Sequence, residues 1–371
     1  MRKEALSKAV GLTDDLFPRL QPHIYSWINT YGDVDAWKNF VYWNGVRAEV
    51  VISEPELIKE VMKNSETIFQ KRKLTDVGAK LLGNGLAFIE GEKWAKHRKL
   101  ANHAFHGESL ENMTPAIIAS VETMLEKWKG LEVKEIEVYN EFRFLTSEVI
   151  SRIAFGSNYL EGEKIFAMLN KLKILVSQNI HKTAIPFINK LWKPADMLES
   201  EKLEKGIQDC VMEMIKKRED KVVSGEADSF GTDFLGLLVN AYHDLDDKNR
   251  VSLEDLSCIW QSMEIGKKKR EERTVAREGQ LGKFILPADI DILSLNIGPH
   301  RDRHLWGDDV HLFKPERFAE GIAKATNYTA AAFFPFGLGP RSCVAMTLAT
   351  IEAKIALSMI LQRYTITISP T

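Results

Sequence analysis

Hydrophobic residues recur every three or four positions over most of the chain, from about residue 92 to about residue 265. This spacing places them along one side of a helix and predicts a series of amphipathic helices. Ser200 is a plausible N-cap for one of them. We predict helices opening at Thr114–Pro115, running from Ser200 to Lys221, over Phe234–Tyr242, after Ser252, and from Val344 to about Tyr364.

A smaller part of the chain has strand character. Asn44–Gly45 separates two runs that favour strands, Phe40–Trp43 and Val46–Ile52, and predicts a hairpin near residues 40–52. Two further short strands are predicted over Phe284–Ile292, where a proline separates them. The fold class is therefore mainly α with a small β part.

Between Ile52 and the long helices, Ser53 is expected to cap a short helix that ends at Lys63. The helix after Ser252 ends in consecutive charges, Lys267 to Arg273, which replace its apolar stripe. Taken alone, such a run is typical of a solvated helix end.

Composition narrows the function. Apolar residues make up 44% of 371 and charged residues 27%, with a net charge of −2, so the chain is globular and nucleic acid is an unlikely partner. No apolar run reaches the roughly 18 residues that span a bilayer, and the N-terminus lacks a secretory signal. Three scattered cysteines do not form a disulfide framework. We expect a soluble, intracellular protein.

One segment carries chemistry, the Gly-Pro-rich loop from Phe333 to Ala345. It places Cys343 where the last helix is predicted to begin, and unpaired N–H groups at a helix N-terminus stabilise a thiolate. Gly337 and Gly339 let backbone amides come close to the sulfur. Arg341 supplies a positive charge two residues from it, suited to a carboxylate on the same ligand. The pattern indicates a metal bound to a thiolate, on a ligand that carries acidic groups.

This loop, Phe336-x-x-Gly339-x-Arg341-x-Cys343-x-Ala345, resembles the haem-binding loop of the cytochrome P-450 family of haem-thiolate monooxygenases. That family usually has Gly where this chain has Ala345. The chain resembles plant microsomal members most, in the clan that includes secologanin synthase. Three other segments support the resemblance: Trp94-x-x-x-Arg98, the Pro-Glu-Arg-Phe run at Pro315–Phe318, and the closing helix.

The resemblance implies a cofactor and a role for each residue of the loop. Haem b would be the cofactor, with Cys343 as the axial ligand of its iron and Phe336 shielding the sulfur. Gly337 and Gly339 would line the cofactor site. The haem propionates would be held by Arg341, Trp94 and Arg98.

It also implies an activity and partners. The chain would insert one oxygen atom from O2 into a small lipophilic substrate, such as a terpenoid or a hormone. Electrons would come from NADPH through a reductase, at the endoplasmic reticulum membrane. This chain appears without the family's membrane anchor, so we expect it to be cytoplasmic or peripheral.

Several family features are missing. No run carries the Gly, the acid and the Thr of the oxygen-activating helix, so no catalytic residue is identified; in the nearest run, Val121-Glu122-Thr123, Thr123 lies opposite the apolar stripe of its helix and is expected to be solvated. No Glu-x-x-Arg follows residue 260, which leaves Arg317 of the Pro-Glu-Arg-Phe run without its family partners. Removing a partner from a buried charge cluster costs about 3–5 kcal/mol. The sequence also stops before the family's last strands.

The domain prediction follows from these gaps. We expect one incomplete domain over residues 1–371, with an N-terminal helical part at 1–266 and a haem-ligand part at 277–371. Residues 267–276 are expected to be a deletion junction between them, which is a second interpretation of the charged run. A catalytically silent remnant that binds haem weakly or not at all remains the alternative function.

Other candidate sites are weaker. His300 and His304 have the spacing of a zinc pair on a helix, but no neighbouring Glu accompanies them. Cys210 lies on an apolar stripe and is expected to be a core residue, and Cys258 is expected to be structural.

Overall fold

We describe a computed structural model of the chain. It describes residues 22, 25–27, 39–44, 47–73, 85–130, 135–155, 159–179, 195–231, 233–244, 246, 250–252, 271–295, 297–300, 302–329 and 331–367. The helix predicted after Ser252, with Cys258, lies outside these residues. In the described part, no helix is both long enough and apolar enough to cross a membrane.

The seven strands of the described residues are β1 Phe40–Asn44, β2 Arg47–Ile52, β3 Phe69–Lys71, β4 Glu271–Val275, β5 Gly279–Leu281, β6 Phe284–Leu286 and β7 Asp291–Ser294. The described helices are α1 Pro55–Lys63, α2 Gly91–Ala104, α3 Glu108–Lys129, α4 Val138–Phe155, α5 Tyr159–Asn179, α6 Ala195–Val223, α7 Phe234–Tyr242, α8 Ile297–His300, α9 Arg303–Trp306, α10 Ile322–Ala325 and α11 Met346–Arg363. Two 3-10 turns, Pro315–Phe318 and Gly339–Arg341, complete the described elements. The mainly α class with a small β part is confirmed.

The chain divides into two compact units, each built from two stretches of sequence. Unit 1 comprises residues 1–73 and 268–343, and unit 2 comprises residues 74–267 and 344–371. These boundaries differ from the two parts expected at 1–266 and 277–371. Because unit 1 combines residues 1–73 with residues 268–343, its strands pair over long sequence separations.

Unit 1 is organised on a five-stranded sheet in the order β1-β2-β7-β4-β3. The predicted hairpin is confirmed, with Asn44 opposite Arg47, so β1 continues through Asn44 and β2 is described from Arg47 onward. Side chains alternate across a strand, and Val50 and Ile52 join the apolar cluster formed with α1 on one face. The helix begins after Glu54 without a side-chain cap, so the cap predicted at Ser53 is wrong.

The structure corrects the prediction for the part of the charged run that it describes. Glu271 to Val275 form β4, between β7 and β3, rather than a solvated helix end. Arg273 is only 1% exposed, because its side chain lies on the face of the sheet that α1 covers. Glu272 and Thr274 alternate with it and lie on the other face.

The core of unit 2 is a cluster of apolar residues from its long helices. The predicted stripe of α3 is buried at Ile117, Val121, Leu125 and Trp128. However, α3 begins at Glu108, so Pro115 lies inside the helix rather than opening it. α6 likewise begins at Ala195, and Ser200 is buried within it instead of capping it.

α11 packs against α3 and carries a carboxylate on its buried side. Leu348, Ala356 and Ile360 are buried, and Glu352 lies on the same side of the helix because all four are spaced by four residues. Within the described part of the chain, Glu352 has no hydrogen-bond or ion-pair partner. The charged side chains of α3 whose burial is described are exposed, at Glu111, Glu122, Glu126, Lys127 and Lys129. Burial raises the pKa of Glu352 to about 7.

We therefore expect Glu352→Gln to stabilise the chain at alkaline pH. A raised pKa means that the folded chain holds a proton that the unfolded chain releases, so stability falls as the pH rises from about 4.5 through 7. Gln lacks this dependence, and the variant should gain about 1–3 kcal/mol over the wild type at pH 8. Urea denaturation at pH 5 and pH 8 measures it. Exposed Glu122→Gln is the control, and a gain from Glu352→Gln that is equal at both pH values would contradict the explanation.

Candidate cofactor site

The loop that precedes α11 is held in shape by its own backbone. Gly337 and Gly339 have φ values of +79° and +72°, which L side chains rarely adopt. The Gly337 N–H donates to the Phe334 carbonyl at 3.0 Å, and the Cys343 N–H donates to the Phe336 carbonyl at 2.8 Å. These bonds turn the chain twice and leave Cys343 exposed at the end of the loop.

α1 supports this loop from one side. A Cβ added at Gly339 would lie 2.5 Å from the carbonyl oxygen of Met62, so only glycine allows this approach. Leu338 packs against the same apolar cluster as α1. The loop is therefore fixed to the sheet and helix of unit 1.

A small cleft beside the loop, with room for about one water molecule, brings together residues that are far apart in sequence. It is lined by Met62, Arg273, Phe334, Gly337, Leu338 and Arg341. Arg273 and Arg341 both contribute to this lining, and no acidic residue does. A guanidinium group binds a carboxylate through paired hydrogen bonds, and of the two arginines Arg341 is the more exposed, since Arg273 is only 1% exposed.

Arg273 is the residue that the sequence analysis missed. Arg273 was missed because it belongs to the charged run, and consecutive charges indicate solvent exposure when the run is interpreted as part of a helix. A signal was available at the end of the run, where Thr274 and Val275 favour a strand. In a strand, side chains alternate between the two faces, so Arg273 and Glu272 lie on opposite faces.

Cys343 lies farther from the helix than predicted. α11 begins at Met346 with Ala345 as its N-cap, so Cys343 precedes the helix by three residues rather than opening it. The field of a helix terminus falls off within about one turn, so its support for a thiolate at Cys343 is reduced. The positive charge in the described part of the loop comes from Arg341.

Arg317 has partners of its own in unit 1. Its guanidinium donates to the Trp306 carbonyl and to the Asp309 carboxylate, the latter at 2.8 Å. Hydrogen bonds from Lys314 and Arg317 lower the pKa of Asp309 to about 2. The expectation that Arg317 is a buried charge without a partner is therefore wrong, and the cost assigned to it does not apply.

The histidines considered for zinc do not form a pair. His300 ends α8, whereas His304 lies in α9, which Asp302 caps through the His304 N–H. His300 Nε2 accepts a hydrogen bond from the Phe334 N–H at 3.1 Å, and burial lowers the His300 pKa. No group of three metal-binding side chains occurs among the described residues. His300 thus supports the start of the cysteine loop.

Trp94 and Arg98 lie in unit 2, one turn apart on α2. Trp94 is 7% exposed, and the Arg98 Nε donates to the Asn102 side chain at 2.9 Å. Cys210 is half-buried on α6 and packs against the unit 2 core, as predicted.

The residues of unit 1 fit an acidic metal cofactor such as haem. An exposed thiol ends the loop, and the half-buried Arg341 lies two residues before it. A thiolate suits iron, and a guanidinium group suits a carboxylate of a haem.

Comparison with known proteins shows the family to which the chain is similar. The cytochrome P450 family model matches residues 30–265 and 269–371. The chain is 44% identical to cytochrome P450 CYP749A22 of Panax ginseng over 435 positions, covering all of this chain and 82% of that protein. It is 34% identical to 11-oxo-beta-amyrin 30-oxidase of Glycyrrhiza uralensis over 447 positions, covering 83% of that protein.

Two further similarities extend the comparison. The chain is 32% identical to 7-deoxyloganic acid hydroxylase of Catharanthus roseus, and the alignment covers all of this chain and 83% of that protein. The crystal structure of the cytochrome P450DA heme domain matches with a TM-score of 0.71 at 17% identity, over 92% of this chain and 85% of that one. The structural match supports the fold.

Proposed function

Because this chain belongs to the cytochrome P450 family, whose enzymes are haem-thiolate monooxygenases, we propose that it binds haem b with Cys343 as the axial ligand. One observation carries the proposal: an exposed cysteine ends a glycine-containing loop that places Arg341 two residues before it. A haem bound there would supply the iron at which the family activates O2.

The chain's own residues would bind and orient this cofactor. Arg341 and Arg273 would hold its carboxylates, and Trp94 and Arg98 are the residues to which the family pattern assigns the same role. Gly337, Gly339 and Phe336 would let the loop backbone approach the cofactor and keep water from the sulfur.

The substrate we propose is a small lipophilic molecule of the terpenoid class. Two relatives support this class by name, an oxidase of 11-oxo-beta-amyrin and a hydroxylase of 7-deoxyloganic acid. Electrons would come from NADPH through a reductase, as is usual for the plant microsomal members that the chain resembles. We place the protein, by the same resemblance, at the endoplasmic reticulum membrane.

A second candidate is a silent member of the family that binds haem without turning over substrate. The alignment with the ginseng protein has 435 positions for the 371 residues of this chain, so about 64 positions of that relative have no counterpart here. The family model is interrupted at residues 266–268. We infer that the missing positions fall there, where the sequence lacks both the Gly-acid-Thr run and the Glu-x-x-Arg run.

One experiment tests the cofactor and then separates the two candidates. The purified chain is reconstituted with haem, reduced and exposed to carbon monoxide, and its absorption spectrum is recorded. We expect the red-shifted Soret band of a thiolate ligand; no haem binding, or an imidazole-type band, would reject the proposal. NADPH oxidation and O2 uptake are then measured with a reductase, and no uptake despite the thiolate band would favour the silent candidate.

A further inference from the structure

The ring of His300 lies on a backbone that unit 1 holds in place. The Leu295 N–H, just after β7, donates to the Ile52 carbonyl at 3.0 Å, which ties the chain before α8 to β2. The Trp306 indole N–H donates to the carbonyl of Pro299 at 2.7 Å and so holds the residue before His300. The backbone that carries the His300 ring therefore has little freedom to move.

A series of hydrogen bonds leads from this ring to the cysteine. His300 Nε2 accepts from the Phe334 N–H at 3.1 Å, and the Phe334 carbonyl accepts from the Gly337 N–H at 3.0 Å. Two residues after Phe334, the Phe336 carbonyl accepts from the Cys343 N–H at 2.8 Å. Phe334 is thus bonded through both its backbone groups, and its side chain is only 4% exposed. A shift of Phe334 would move both turns of the loop and, with them, Cys343.

Only the neutral imidazole can make the bond to Phe334. An imidazolium has no lone pair left, whereas a neutral ring with its proton on Nδ1 accepts through Nε2. Burial lowers the pKa of His300, so the ring is neutral at neutral pH. The rings of Phe333 and Phe334 lie beside it, with centroids at 5.5 Å and 5.0 Å, and neither can replace it as an acceptor for the N–H. A buried N–H that loses its partner is costly, so the loop depends on this acceptor.

We propose that His300 is a positioning residue for Cys343, which holds both turns of the cysteine loop through the N–H of Phe334. The effect on the cofactor rests on the proposed haem site. The effect on the loop is measurable without haem, so the two can fail separately. His300 acts through Phe334 and is assigned no contact with the cofactor.

The first test measures the loop in the haem-free, full-length chain. Amide hydrogen exchange is followed at Phe334, Gly337 and Cys343 in wild type, His300→Leu and His300→Gln. Leu and Gln both remove the ring, but only Gln keeps an acceptor at a similar distance from the backbone. In His300→Leu, exchange should rise about threefold to tenfold at all three amides, because one buried hydrogen bond is lost. In His300→Gln it should stay within about twofold of the wild type.

His304→Leu is the matched control, since it removes an exposed imidazole from α9 and should leave all three rates unchanged. Faster exchange at Phe334 alone would show that the bond holds only its own donor, and it would overturn the proposal. Equal rates in His300→Leu and His300→Gln would also overturn it, because the acceptor would then make no difference. If His300→Leu does not fold, His300→Phe takes its place, because it keeps an aromatic ring beside Phe333 and lacks the acceptor.

The second test measures the cofactor. After reconstitution with haem, a smaller share of the reduced, carbon monoxide-bound His300→Leu should show the thiolate-type Soret band. Its haem should also pass to apomyoglobin about threefold to tenfold faster, and His300→Gln should match the wild type. Faster amide exchange with unchanged haem transfer would show that the loop bonds do not position the ligand, and the proposal would be wrong. A wild type without a thiolate band would reject the proposed haem site, and the exchange rates would then decide the role of His300 in the loop alone.

Discussion

Cys343→Ala should abolish the thiolate-type Soret band of the reduced, carbon monoxide-bound protein and leave the fold of the chain intact. The side chain of Cys343 is exposed, and its backbone N–H bond to Phe336 is one that alanine also makes. The substitution should therefore change the free energy of unfolding by no more than about 0.5 kcal/mol. The loss of the band would then report the loss of the sulfur ligand alone.

Cys210→Ala is the matched control, since it removes a half-buried thiol of α6 that packs against the core of unit 2. Its band should stay at the wild-type position, with a small loss of stability from the lost packing. A thiolate band that persists in Cys343→Ala would show that another cysteine binds the iron. Cys258→Ala would then be the next variant to measure.

Local sequence signals were sufficient to predict an element where the residues that cap it or form its turn are its own neighbours in sequence. The helix Phe234–Tyr242 has the predicted bounds, because Asp233 accepts a hydrogen bond from the Gly236 N–H and caps it. The hairpin follows from two strand-forming runs around a tight turn. The cysteine loop was found because its glycines, arginine and cysteine lie within seven residues of sequence.

Helix starts were harder to predict, because tertiary packing decides them. Pro115 was expected to open α3, since proline suits the first turn and lacks an N–H. In the structure the helix starts seven residues earlier, at Glu108. Because Pro115 has no N–H, the carbonyl of Glu111 lacks its helical partner, and Glu111 is exposed. Ser200 failed as a cap for a similar reason, because its hydroxyl donates to the Met197 carbonyl within α6.

The cleft itself could not be predicted from sequence. Its lining combines residues 62, 273 and 341, which come together only when α1 packs on the sheet and the cysteine loop packs on α1. No local period encodes that contact. Arg317 shows the opposite error, since the partners expected from the family are missing from the sequence and Asp309 fills the role within unit 1.

The same packing gives the second large effect, a loss of stability in Gly339→Ala. Alanine in the left-handed region costs about 1–2 kcal/mol, and the forced contact with the Met62 carbonyl adds about 1–3 kcal/mol as overpacking. The variant should lose about 2–5 kcal/mol of unfolding free energy in urea denaturation, measured without haem. Its haem affinity should fall as well, since the backbone of the cysteine loop has to move away from α1.

Gly337→Ala in the same loop measures the backbone strain without the contact with the Met62 carbonyl. Gly337 has a similar positive φ, but an added Cβ would lie 3.7 Å from Ser342 Cα, an ordinary distance. This control should therefore lose only the strain energy, about 1–2 kcal/mol. Equal losses in the two variants would mean that α1 does not brace the loop. A larger loss at Gly339 would show that the approach of α1 to the loop contributes to holding Cys343 in place.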